Sequence, residues 1–409
     1  MSSSSNDLSR RDFLKTAAAC GAGALLTAGQ AAVAKAAATS QPAEASGAVP
    51  RRPFGKTGAN VSMLALGGIF DSTANQAVLT QSLKWGIDYW DTAASYTGGK
   101  SELGIGMFLG ANPAERKKIF LVTKCHNGPE MASSLDTSLE RMKTDYVDMF
   151  FAHGVEGAAE INQSAEAWKA LVAKLKAAKK IRFFGFSTHS NMAACLQAAS
   201  KLGFIDGIMF ACNYRLLNNG EMKAAIEAAS KAGIGLTAMK TQAKKSRSGQ
   251  NDADIQLLDQ FTKKGFTPAQ AAVKAIWEDK HIASLCSAMY NLPVLQSNYL
   301  AALDKTQLSS ADRRALEQYA QASGAEYCAG CDAICRRAVA GAPPIADVMR
   351  CLMYRDEYGM ADYAREQFAA LPAEVRTALA RADYSAAERR CPQRMAIGEL
   401  MKHALDTLA

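Results

Sequence analysis

Four titratable side chains stand out by type and position: Asp91, Tyr96, Lys124 and His153. Asp91, Lys124 and His153 each follow directly on a short apolar run, and Tyr96 lies five residues beyond Asp91. A carboxylate, a phenol, an ammonium and an imidazole are groups that give and take protons in acid–base chemistry. Singly, each has a bland reading, Lys124 as a surface lysine and His153 as a satisfied core histidine. Four such groups at successive strand ends are harder to dismiss. A second constellation lies beyond residue 327, where Cys328-x2-Cys331-x3-Cys335 is followed far downstream by Cys391-Pro392. Three close thiolates and a distant Cys-Pro supply four soft ligands and suggest an iron–sulfur cluster. Zinc also takes four thiolates, more commonly as two Cys-x2-Cys pairs, and disulfides are the third option in an oxidising compartment. The other cysteines, Cys20, Cys125, Cys195, Cys212, Cys286 and Cys351, read as small packing side chains.

Such residues need elements to hold them. From residue 61 onward, short β-branched and apolar runs alternate with helical patterns, the rhythm of βα units around a parallel sheet. Strands are expected at 62–66, 87–92, 119–123, 146–152, 182–186, 207–212, 235–238 and 283–288. Helices are expected between and after them, at 76–85, 101–109, 131–142, 165–178, 192–201, 220–231, 267–279 and 292–303. Eight strands, each followed by a helix, predict an α/β fold, a closed (β/α)8 TIM barrel spanning 51–304. An open doubly wound sheet is the alternative, although no Gly-x-Gly-x-x-Gly follows a first strand to signal a Rossmann cofactor site. In such barrels the chemistry sits at the C-terminal ends of the strands, where Asp91, Lys124 and His153 fall. The remainder, 305–409, is expected to be a small, mainly helical segment carrying the cysteines. The polar stretch 240–254 reads as a mobile lid.

The N-terminus has a signal-peptide layout: Ser9-Arg10-Arg11-Asp12-Phe13-Leu14-Lys15, a weakly apolar run over 16–29, then a small-residue stretch over 31–38 with Ala-x-Ala choices. The apolar run is too short and too rich in Gly and Ala for a membrane span, so none is expected in the mature form. The whole pattern resembles the twin-arginine export signal, which carries folded proteins across a bacterial inner membrane. The resemblance implies a passage through the Tat translocase and a periplasmic destination, with 1–38 as the signal and 39–50 as an Ala/Ser/Pro-rich linker. The net charge of +8 is spread along the chain and forms no basic block with interleaved aromatics, which argues against nucleic-acid binding. Hydrophobic residues at 49% allow a large core that needs no staples.

From residue 52 to about 303 the chain resembles the aldo-keto reductase family. The likeness rests on Arg52-Pro53-Phe54-Gly55-Lys56-Thr57-Gly58, Asp91-Thr92-Ala93-Ala94-Ser95-Tyr96, Gly99-Lys100-Ser101-Glu102-Leu103-Gly104, Leu121-Val122-Thr123-Lys124, Asp145-Tyr146-Val147-Asp148 and His153. It implies reduction of a carbonyl, or oxidation of an alcohol, on a small molecule, with hydride from NADP or NAD and the proton from Tyr96. A phenol titrates near ~10; a close ammonium would lower that value, so Lys124 is expected to tune Tyr96 while Asp91 holds Lys124. His153 would donate a hydrogen bond to the substrate oxygen.

Cofactor contacts transfer less faithfully. Ser187 and Thr188 stand where the family contacts the carboxamide, with Thr188 in place of its usual Asn. Asn213 substitutes near the end of the sixth strand, Lys240 follows the seventh, and Ser287, Gln296 and Asn298 fit the adenosine-phosphate end. Lys240 or Lys244 would have to take a 2′-phosphate, because no arginine is near in sequence. A subset of the family carries a ferredoxin-like tail, which implies a single [4Fe–4S] cluster on Cys328, Cys331, Cys335 and Cys391, with the three-residue gap before Cys335 as a departure. Two functions stay open: a nicotinamide-dependent oxidoreductase with an attached cluster, and an exported electron-transfer or scaffold protein that exchanges electrons with a partner through the cluster.

Overall fold

A computed structural model describes residues 47–242 and 252–409. The expected signal peptide, residues 39–46 of the linker, Lys244 and most of the polar stretch 240–254 lie outside the described residues. The first elements are a short antiparallel hairpin, β1 (Arg51–Pro53) and β2 (Asn60–Ser62). Then come β3 (Leu64–Gly67), β4 (Tyr89–Asp91), β5 (Phe120–His126), β6 (Val147–His153), β7 (Ile181–Thr188), β8 (Gly207–Ala211), β9 (Gly235–Met239) and β10 (Ser284–Ala288). These eight pair in parallel and in sequence order, and β10 closes the barrel between β9 and β3. Their runs are apolar and buried because helices cover the outside and side chains fill the inside.

The hairpin does more than precede the barrel. It sets Phe54, fully buried, among Tyr89, Phe120, Val122, Met149 and Met209 in the barrel interior. Phe54 stacks edge-on against Tyr89 at 6.1 Å and lies 5.5 Å from Phe120. Gly207 and Gly235, where β8 and β9 begin, make room for it: a Cβ on either would fall under 3 Å from the Phe54 ring. One end of the barrel is thus plugged by an aromatic ring. The other end, where the strands finish, carries the polar residues.

Helices Met131–Met142, Gly220–Lys231 and Leu292–Leu303 fall on their expected ranges, whereas Ala158–Ala177 starts seven residues earlier than expected from 165. Beyond β10 the tail is helical, including Ser310–Ala322, Ile345–Leu352, Ala361–Ala369 and Ile397–Leu408, and no strand follows residue 288 among the described residues. The tail has its own apolar core, with Ile345, Val348, Leu352, Phe368 and Met401 essentially without solvent contact. Cys351 belongs to that core, as expected. A π-helical turn, Met353–Glu357, extends the helix Ile345–Leu352. Residues 47–409 form one compact unit, so the tail is an extension of the barrel. Its arrangement carries no ferredoxin-like feature beyond the cysteines.

Candidate active site

The three acid–base residues nearest the barrel axis form one hydrogen-bonded chain. Asp91 ends β4 and Lys124 lies on neighbouring β5, two residues past the register partner of Asp91. Both side chains are buried, at 3% and 1% exposure. The Lys124 ammonium donates to Asp91 Oδ2 at 2.7 Å, to the Thr92 carbonyl at 2.8 Å and to Tyr96 Oη at 3.2 Å. All three of its protons therefore have acceptors, the condition for keeping a charge inside a barrel. Tyr96 is carried by the loop after β4, and the motif that follows explains how that loop is held. The buried Ser101 hydroxyl donates to the Gly68 carbonyl at 2.6 Å and sits 2.6 Å from the Thr92 hydroxyl. Glu102, also buried, accepts from Thr123 Oγ1 at 2.6 Å and from Arg141 Nη1 at 3.1 Å, and Arg141 reaches back to the Ala94 carbonyl.

His153 ends β6 with its ring 5.7 Å from the Tyr96 ring, edge to face. Its Nδ1 is buried without a hydrogen-bond partner among the described residues. Burial, then the charges of Lys124, His126, Arg350 and Lys240, hold its pKa well below the ordinary histidine value, so the ring is neutral near pH 7. One expectation fails. Tyr96 is not lowered by its ammonium neighbour; burial first, then Asp91, Tyr354, Tyr363 and Cys286, raise it well above the usual phenol value. The main cause is burial, which penalises the phenolate more than the ammonium 3.2 Å away relieves it. Cys286 was read as packing, yet its thiol lies 3.7 Å from Asp91 Oδ2. Period-two alternation along β10 puts it on the same face as Ser284 and would have flagged it as inward-facing.

Along the rim from β7 to β10 lies a row of polar groups. The Ser187 hydroxyl accepts from the Gly154 amide at 3.2 Å. The Thr188 hydroxyl is turned into its own loop and donates to the Ser190 carbonyl. Asn213 caps a short helix by accepting from the Arg215 amide, and its Nδ2 donates to the Lys240 carbonyl at 3.2 Å. Gln242, which the sequence did not flag, donates to Asn298 Oδ1 at 3.2 Å, and Asn298 donates to Ser287 Oγ at 3.0 Å. Gln296 is exposed on the same helix, Leu292–Leu303. The structure thus joins Asn213 to Lys240, and Ser287 to Asn298, and leaves Gln296 in solvent.

Unanticipated from the sequence, the tail reaches this rim. Tyr327 Oη accepts from Asn213 at 2.7 Å, and Tyr354 Oη from Lys240 Nζ at 3.0 Å. The Cys328–Arg336 region docks on the loop after β7, where the Asn191 amide donates to the Gly330 carbonyl at 2.7 Å and Asn191 Oδ1 accepts from the Ala333 amide. Cys328, Cys331, Cys335 and Cys391 line one cavity with Ile345, Met349, Met395 and Ile397. None of the nine described cysteines is in a disulfide. Burial raises Cys331, with Cys391 adding to it, and pushes Cys335 up to about 12, with Asp332, Cys328 and Cys331 adding. Among the described residues, no set of three or more His, Cys, Asp or Glu side chains stands in a geometry that could hold a metal ion.

Comparison with known proteins places these features. The aldo/keto reductase family model matches residues 62–324, and the twin-arginine translocation pathway signal sequence matches residues 7–27. That signal directs export by the twin-arginine route to the periplasm, and no described helix is long and apolar enough to cross a membrane. L-galactose dehydrogenase from Arabidopsis thaliana is 32% identical over 152 residues, covering 33% of this chain and 47% of that protein. The aldo-keto reductase yakc [NADP(+)] of Schizosaccharomyces pombe is 33% identical over 153 residues, covering 34% and 42%. The chain spans about half the length of the curated relatives it matches. In fold it is similar to the holo form of aldo-keto reductase AKR11C1 from Bacillus halodurans, with a TM-score of 0.54 at 20% identity over 66% of this chain and 96% of that one. With the family model matching well over half of its residues, the chain belongs to the aldo/keto reductase family.

Proposed function

We propose that the protein is a nicotinamide-dependent oxidoreductase acting on a small carbonyl or alcohol, with Tyr96 as the proton donor. The observation that carries this is the buried Asp91–Lys124–Tyr96 chain, which ends on a phenol facing the neutral ring of His153. A phenol held above its usual pKa is still an effective acid toward a nascent alkoxide, which is far more basic, so it remains loaded with its proton until the transfer. Lys124 then stabilises the phenolate left behind, at a distance where its charge acts through little solvent. Neutral His153 offers one N–H to the substrate oxygen, and Asp91 keeps Lys124 charged and aimed. A nicotinamide dinucleotide would be held by Ser187 and Asn213 toward the ring and by Ser287 and Asn298 toward the adenosine end, whereas Thr188 is turned into its own loop and Gln296 stands in solvent. When bound, that group supplies or accepts the hydride. A bare scaffold would gain nothing from a buried, fully hydrogen-bonded lysine beside a tyrosine, which disfavours the alternative of a non-catalytic barrel.

We propose that Cys328, Cys331, Cys335 and Cys391 would hold an attached [4Fe–4S] cluster after closing in on it, since as they stand they do not form a metal-holding set. The support is chemical: four cysteines, none in a disulfide, line one mainly apolar cavity, and four sulfur ligands are the number such a cluster takes. Export of an already folded chain is consistent with a group inserted before translocation.

The catalytic reading predicts that purified protein oxidises NADPH or NADH with an aldehyde panel and that Tyr96→Phe abolishes this. Failure of wild type to turn over with either nucleotide would overturn it. Iron and acid-labile sulfide assayed in anaerobically purified protein test the cluster; their absence removes it. Nucleotide released by denaturation, assayed on the same sample, identifies the cofactor.

A further inference from the structure

The rim facing His153 is completed by the tail, and the tail brings a cation to it in an unusual setting. Lys240 Nζ donates to Tyr354 Oη and lies 4.2 Å from the centre of that ring, with the Tyr358 ring at 5.1 Å. Tyr354 packs edge-on against Tyr363 at 5.0 Å. None of the ion pairs formed among the described residues involves Lys240, whereas Lys124 is matched by Asp91 and Arg350 by Asp347 at 2.6 Å. Aromatic faces hold an ammonium in place without cancelling its charge. Lys240 thus stands half-buried at the end of β9 with no carboxylate paired to it among the described residues.

Its direction is set by its neighbours. The backbone at Lys240 is left-handed, with φ 58°, where the strand ends. The next polar group along the rim, Gln242, is the one that reaches Asn298 and the adenosine end. The charge of Lys240, together with that of Arg350, acts on both His153 and His189. His189 follows β7 immediately and lies under the tail, where Gly330 sits against its carbonyl. The ammonium thus stands at the end of β9, on the strand-end face of the barrel that also carries His153.

We propose that Lys240, caged by Tyr354 and Tyr358, docks an anionic group of the substrate, so that the substrate is a carboxylate-bearing carbonyl compound or the corresponding hydroxy acid. This rests on the oxidoreductase reading. It moves Lys240 away from the 2′-phosphate role expected from its place after β9. It also gives the tail a part in substrate choice, because the cage is built from tail residues.

The test is binding first, so that it does not depend on turnover. Benzoate and benzamide differ in charge and little in shape, and calorimetric titration of the mature protein should show benzoate bound more tightly. Lys240→Met should weaken benzoate by about tenfold or more relative to benzamide, the scale of a hydrogen bond to a charged group, and Lys240→Arg should restore much of it. Equal affinity of wild type for the two ligands, or an unchanged ratio in Lys240→Met, overturns the proposal. In turnover, 4-carboxybenzaldehyde should exceed 4-carbamoylbenzaldehyde in kcat/KM, and Lys240→Met should erase the preference, chiefly through KM. Should Lys240→Met instead abolish a preference for NADPH over NADH while leaving the aldehyde ratio intact, the cation belongs to the cofactor phosphate and the proposal fails. If wild type reduces neither aldehyde with either nucleotide, the oxidoreductase reading fails, and the benzoate titration still decides whether Lys240 captures a carboxylate.

Discussion

Replacing Lys124 by Met tests the core of the site without any knowledge of the substrate. The substitution keeps much of the side-chain volume and removes the only cation paired with Asp91 among the described residues. Asp91 would then be a carboxylate at 3% exposure whose Oδ1 already lacks a hydrogen-bond partner. Breaking a buried pair from one side costs about 3–5 kcal/mol, because an uncompensated charge is left behind. Unfolding entropy of about 2.1 cal/mol/K per residue over a unit of this size makes each kcal/mol worth roughly 1.3 °C, so the melting temperature should fall by about 4–7 °C. The double variant Asp91→Asn/Lys124→Met removes both charges and should recover part of that loss, since neither partner is stranded. Burial already raises the Asp91 pKa and Lys124 opposes it, so in Lys124→Met the carboxyl should titrate higher still, and stability should improve as the medium is acidified toward that value. Calorimetric scans of the three proteins at two pH values measure all of this. A drop below about 1 °C in Lys124→Met, or a double variant less stable than the single, would refute the reasoning.

Three further outcomes follow from the geometry. Phe54→Ala empties the plug of the barrel and should cost about 3–5 kcal/mol by denaturant titration, while any carbonyl reduction measured at saturating substrate persists. Gly330→Ala puts a side chain at φ +71° and a Cβ 2.4 Å from the His189 carbonyl; the left-handed strain alone is about 1–2 kcal/mol, and limited proteolysis should cut the tail faster. His153 and His189 are both held well below the ordinary histidine value by burial and neighbouring cations, so each contributes stability that is complete above about pH 6.5 and is lost on acidification below it. Thermal unfolding across about pH 5 to 8 should show that slope, and His189→Gln should flatten it.

What could be read from residues alone followed the physics of each signal. The eight barrel strands were legible because buried parallel strands are uninterrupted apolar runs, and Asp91, Lys124 and His153 were legible because each breaks such a run at its end. The β1–β2 hairpin was not, since three-residue strands leave no periodicity, and Phe54 gives no sign in sequence that it fills a barrel. The braces Ser101 and Glu102 were visible as a motif, but their work appears only in the bonds to Gly68, Thr123 and Arg141. The direction of the Tyr96 shift was not legible because sequence offers charged partners but not the depth of burial, and burial decides it. Gln242, Tyr327 and Tyr354 were missed because they join the rim across separations of 56 to 114 residues, where no spacing rule applies.

The barrel and its tail therefore share one site. Asn213 and Lys240, at the ends of neighbouring strands, each give one side-chain hydrogen bond to a tyrosine of the tail, so loosening the tail would release both bonds at once. The same tail segment anchors the cysteine cavity through Gly330 and Asn191. The cysteine segment and the loop after β7 are thus in direct contact, Gly330 lying against the His189 carbonyl. A site built from two parts of one chain is complete only once both have folded and docked. The twin-arginine route meets that requirement, because it moves the chain after folding rather than before it.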